Sequence, residues 1–246
     1  MTAPPHPQNE TMASPKTAPK KKEAETAPAA AARPRPKRRA ADEAYDAIET
    51  LLSTMQLQPG SQIVEAELAE RTGLGRTPVR EALMRMVSIG LIVQQPRRGL
   101  LVSTIDLADH LDVIQTRRVL EGVVAACSAR RATAAQRKAI VACAAKMVKA
   151  AERANLEDYM AADHELDVVN HEACRNSSAV KSVVPLIVQC RRFWYAYQHE
   201  GEIAEGARFH MELAQGIATG DGAAAVLGAN KLMDYLEGFA RRVIEI

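Results

Sequence analysis

Residues 91–95 (Leu-Ile-Val-Gln-Gln) and 100–104 (Leu-Leu-Val-Ser-Thr) are rich in strand formers and flank Pro96-Arg97-Arg98-Gly99. Aliphatic runs around a Pro/Gly turn predict a small β-hairpin. Its place in the chain limits the fold strongly, because only helical patterns lie on either side of it. The stripe Ala44, Ile48, Leu51, Leu52 and Met55 predicts a first helix, punctuated by Pro59-Gly60. Residues 65–72 predict a second, ended by Gly73. A third is predicted from about Thr77 to Ile89, with Thr77 as N-cap, Pro78 at the first helical position and Gly90 closing it.

Three short helices and then a hairpin is the layout of a winged helix-turn-helix, the hairpin being the wing. From Asp106 onward the pattern is helical throughout, with breaks near 131–133, 154–155, 176–178, 200–201 and 219–221. Six helices joined by short loops predict an antiparallel bundle, a common setting for a ligand cavity. Pro185 is expected to kink the fourth of them or delay its start. The expected fold is therefore mostly α: a winged helix-turn-helix over residues 42–104 and an all-helical bundle over 105–246.

Residues 1–41 hold nine Lys/Arg and three Glu, a charge of +6 within a chain whose total is +2. Pro, Ala and Lys dominate this stretch without apolar periodicity, so a disordered basic tail is expected. Such a tail can also add sequence-independent attraction to a polyanion. No apolar run approaches the roughly 20 residues that span a bilayer. The amino terminus lacks the layout of a secretory signal, and Cys127, Cys143, Cys174 and Cys190 are scattered with no C-x-x-C pair. A cytoplasmic protein with buried thiols is the expectation.

The third helix carries the most specific chemistry. Arg76 and Arg80, four residues apart, share a face at its amino-terminal end, where free amides and the helix dipole favour phosphate. Val79, Leu83 and Met86 fall on the opposite, core-facing side. Taken singly, Arg76, Arg80 and Arg85 read equally as solvated arginines. In order, a turn, an arginine-bearing helix start with Thr77, and a hairpin tipped by Arg97, Arg98 and Gly99 point to double-stranded DNA.

Leu57-Gln58-Pro59-Gly60, Leu68-Ala69-Glu70, 76–83 (Arg-Thr-Pro-Val-Arg-Glu-Ala-Leu) and the segment from Gly90-Leu91 to Gly99 resemble the reader domain of GntR-type transcription regulators. The bundle, from Arg117-Arg118-Val119-Leu120-Glu121 to about Arg241, resembles the FadR-type (FCD) sensor domain. The reader departs from the family pattern at Gly75, where Ser or Thr is common, and at Ala66, where some relatives have an arginine. The resemblance implies a homodimer on a pseudo-palindromic operator, a repressor by default, released by a small anionic effector. Arg117, Arg191 and Arg192 are the candidate effector contacts, forked partners suited to a carboxylate. Arg117 also sits at pairing distance from Glu121, and Arg191 and Arg192 read equally as surface residues beside the aromatics 193–195.

In many such sensor domains an Asp, a His four residues later and two further His hold a divalent metal. Counting from Asn176 places Asp163 at the aspartate, Asp167 where the first histidine is usual, and His210 at the next ligand; the last position falls on Leu232. The cofactor implied is a divalent ion, Zn²⁺, Ni²⁺ or, for a more oxygen-rich set, Mn²⁺ or Mg²⁺. His164 and His199 are read as surface or interhelix residues. No nucleophile elbow, phosphate loop or H-E-x-x-H motif is present, so no enzyme is expected. The alternative reading is an architectural, weakly specific DNA-binding protein driven by the tail.

Overall fold

The computed structural model describes residues 39–198 and 202–245, so most of the basic tail and His199 lie outside the described residues. The order is α1 (Ala40–Ser53), β1 (Gln62–Ile63), α2 (Glu65–Thr72), α3 (Arg76–Ser88), β2 (Ile92–Gln95) and β3 (Gly99–Val102). Then come α4 (Leu107–Arg131), α5 (Ala134–Glu152), α6 (Leu156–Cys174), α7 (Ser177–Tyr197), α8 (Glu202–Thr219) and α9 (Gly222–Ile244). The helical bundle and the winged helix-turn-helix both have the expected layout.

In the winged half, Ile48, Leu52, Val79, Leu83 and Met86 are fully buried against Leu91 and Ile92. β2 and β3 pair antiparallel, Ile92 opposite Val102 and Gln95 opposite Gly99. The sheet has a third strand that two residues could not announce: β1 pairs with β3, giving the order β1-β3-β2. Gly73 closes α2 in the left-handed conformation at φ 70°. α1 begins at Ala40, so a helix already covers the last two residues assigned to the tail.

The start of α3 corrects the sequence reading. Gly75, not Thr77, is the N-cap, and Val79 N–H makes the first backbone bond back to its carbonyl at 3.2 Å. Pro78 therefore sits third in the helix. It is tolerated there because the first-turn amides have no intrahelical acceptor.

The breaks in the bundle coincide with capping residues. Asp106, Thr133, Asn155, Asn176 and Asp221 each accept a backbone N–H in the following first turn, and Thr133 with Gln136 forms a capping box. Pro185 lies inside α7, which begins eight residues earlier, so it does not delay the start. α4 packs against α6, α7 and α9, α5 against α6 and α8, and α8 against α9. The last contact is close: a Cβ on Gly216 would stand 2.5 Å from the backbone N of Ala225. All four cysteines are buried as free thiols.

α7 joins the two halves. Val188 packs into the winged core, and the next turn brings Arg191 and Arg192 to opposite sides of the junction.

Candidate nucleic-acid interface and sensor site

α3 presents Arg76, Thr77 and Arg80 to solvent while Val79, Ala82, Leu83 and Met86 are buried. No side chain caps its amino terminus, which leaves the first-turn amides available to an anion. Arg80 is not free. Its Nε and one Nη donate to Glu65 Oε2 at 2.9 and 2.6 Å, and the Arg80 hydrogen bond holds the Glu65 carboxyl below its ordinary range. Arg85, about half exposed, pairs with Asp42 of α1 at 2.8 Å and lies over the Tyr45 ring.

At the wing, Arg97, Arg98 and Gly99 are exposed. The turn closes through Arg98 N–H and the Gln95 carbonyl, with Pro96 second and Arg97 third at φ +66°. Glycine or asparagine is favoured in that conformation, so an arginine there carries backbone strain. Gly99, at φ +78°, is required by the turn itself.

The sensor residues proposed from spacing come together, with an unexpected centre. Arg191 of α7 is buried among carboxylates: Nε donates to Asp163 Oδ2 at 2.5 Å, one Nη to Asp167 Oδ2 at 2.7 Å, and the other lies 3.4 Å from Glu49 Oε1 on α1. It is thus no surface residue. His210 Nε2 stands 3.0 Å from Asp163 Oδ1, and its Nδ1 2.7 Å from the Gly206 carbonyl. Burial works against charge at both partners. At Asp163 the Arg191 charge and the His210 hydrogen bond outweigh it and hold the carboxyl well below the usual range. At His210 the Asp163 contact outweighs it and raises the imidazole, so both ring nitrogens act as donors in the protonated form.

Asp163, Arg191 and His210 line a cavity of about 40 Å³ together with Arg117, Tyr159, Trp194, Leu232 and Tyr235. Arg117 is buried and donates to Glu121 on its own helix at 2.9 Å. Arg192 is absent from this cavity. Neighbours on a helix diverge by about 100°, and Arg192 points instead to the exit of β3, where it donates to the hydroxyl and carbonyl of Ser103. Burial lowers the pKa of Arg192 to about 10.

The metal set is incomplete in space as well as in sequence. Leu232, at the place of the last ligand, does line the same cavity and offers no donor atom. The guanidinium occupies an oxygen of each α6 carboxylate. Among the described residues no three His, Cys, Asp or Glu side chains are grouped to hold an ion.

Glu65 and Glu49 were not anticipated, and His164, read as a surface or interhelix residue, lies 3.5 Å from Glu49 between α6 and α1. Glu49 left a signal, a carboxylate next to Ile48 inside the apolar stripe of α1. Glu65 left none. Over a larger region, an open cleft of about 840 Å³ lies between α1 and helices α6 and α7, and Glu49, His164, Asp167 and Arg191 reach its wall.

A winged helix-turn-helix joined to a helical bundle defines a DNA-binding regulator rather than an enzyme. The family model of bacterial regulatory proteins of the gntR family matches residues 40–102, and the FCD domain model matches 112–234. The chain belongs to the GntR family and carries an FCD domain. An uncharacterized HTH-type transcriptional regulator of Agrobacterium vitis is 35% identical over 125 residues, 49% of this chain and 72% of its own. The HTH-type transcriptional repressor RspR of Escherichia coli is 31% identical over 107 residues, 44% of this chain and 47% of its own. The solved structure of E. coli McbR/YncC is similar in fold, with a TM-score of 0.71 at 18% identity over 84% of this chain and 99% of that one. Among the described residues no helix is long and apolar enough to cross a membrane.

Proposed function

We propose that this protein is a cytoplasmic, homodimeric repressor that reads a pseudo-palindromic operator and releases it when a small carboxylate-bearing metabolite engages the FCD half. The observation that carries the reading is the amino-terminal end of α3, where Arg76, Thr77 and Arg80 are exposed over an uncapped helix start and the opposite face is buried. Arg97, Arg98 and Gly99 supply the wing contacts, and the strain at Arg97 supports a purpose for an arginine at that tip. Arg85 supports α1 instead. The reader extends to residue 104 and the sensor begins at 105, with Arg117 on the cavity wall as the effector's arginine and Arg191 beside it holding the carboxylates in place. Arg192 braces the junction at Ser103. Two reader domains meet half-sites together through the dimer's symmetry, so a change in their relative placement alters affinity. The name of RspR, a repressor, supports the sign of regulation.

Selection of bound sequences from random DNA tests the reading. A short palindromic consensus, kept when residues 1–41 are removed, is expected. No consensus, together with affinity that collapses on removing the tail, identifies an architectural DNA-binding protein instead. With the operator in hand, Arg80→Ala lowers specific affinity by about tenfold or more while dimerisation persists. Unchanged affinity refutes the assignment of α3.

A further inference from the structure

A divalent ion held by Asp163, Asp167 and His210 would have to share carboxylates whose Oδ2 atoms already accept from Arg191 and displace His210 from Asp163 Oδ1, and its charge would sit against a buried guanidinium. The site already holds a cation without it. Asp163, Asp167 and Glu49 surround Arg191, with His210 Nε2 3.0 Å from Asp163 and His164 Nδ1 3.5 Å from Glu49. The Arg117–Glu121 pair at the cavity's other wall balances itself. These residues do not fit the divalent ion that the sensor family's pattern implies.

We propose that Arg191 is the resident cation of the sensor site in place of a metal ion, and that the same guanidinium ties the α6 carboxylates to Glu49 of the DNA-reading half. A metal ion between sensor helices would organise only the helices that ligate it. A guanidinium has a third side to offer, and here that side reaches α1. Arg191 is thus a positioning residue: a change in how α6 or α7 sits at the cavity moves the group that holds Glu49. This deepens the regulatory reading and rests on it only for the direction of signalling, since the test uses neither operator nor effector.

Elemental analysis of the full-length wild type, purified without chelator, should find no stoichiometric Zn, Ni or Mn, and EDTA should leave the melting temperature unchanged. A stoichiometric ion that is lost in Asp163→Asn would overturn the proposal. Arg191→Ala frees the carboxylates, and Mn²⁺ or Zn²⁺ titrated by calorimetry should bind about tenfold tighter than to wild type or better, raising the melting temperature reversibly by EDTA. A folded Arg191→Ala protein indifferent to both ions would overturn it. If that variant does not fold, Arg191→Lys serves for the link to Glu49. Glu49→Gln should lower the melting temperature of the wild type by more than it lowers that of the Arg191 variant, and equal, additive losses would sever the link.

Discussion

Arginine does opposite work in the two halves of this protein, and exposure decides which. The Arg80 side chain is 65% exposed and shares Glu65 with solvent, whereas that of Arg191 is 8% exposed and meets three carboxylates that are themselves largely buried. An exposed pair is held weakly, so a phosphate or a base edge can replace Glu65. A buried cluster must keep its partners, because removing one leaves uncompensated charge in a poorly polarisable interior. The reader thus holds exchangeable arginines and the junction holds a permanent one.

Removing the permanent arginine should have the largest effect. Arg191→Ala is expected to cost about 3–5 kcal/mol in metal-free denaturant unfolding, since it strands Asp163, Asp167 and Glu49. A loss no greater than that of a surface substitution would abolish the contrast between the halves. Next, Gly216→Ala should cost about 1–3 kcal/mol by forcing α8 from α9, with the winged half untouched. Hydrogen exchange confined to the bundle would locate the damage.

A smaller effect is expected from pH. Asp163 is depressed below its ordinary 3.8, so its contribution is present above that pH and fades as pH falls further. His210 is raised above 6.5, so its contribution is complete below 6.5 and is lost as pH rises through its higher folded value. Stability should therefore decline on the alkaline side, and His210→Gln should flatten that decline; an unchanged slope would show that Asp163 does not hold the imidazolium. Glu65→Gln should have the least effect on stability, leaving the melting temperature unchanged. It should tighten operator binding severalfold by releasing Arg80, and weaker binding would mean that Glu65 instead orients Arg80 for the DNA.

The winged half was legible because its signals are local. The face shared by Arg76 and Arg80, the apolar positions 79, 83 and 86, and the turn at 96–99 all follow from spacing within a few residues. Where spacing failed, the cause was equally physical: a two-residue strand has no period, and Gly75 could replace Thr77 as cap through its backbone alone. In the bundle the break positions were legible from Asp, Thr and Asn caps.

The sequence by itself determined the helices, the wing, the exposed arginine face at the start of α3 and the candidate set Asp163, Asp167 and His210. Only the tertiary structure decided what that set does. Arg191 stands 24 and 28 residues from its α6 partners and 142 from Glu49, separations at which no periodicity relates side chains. Which of two adjacent arginines enters the sensor site is settled by how α7 lies between the winged core and the bundle, because a single step along a helix turns a side chain to another face.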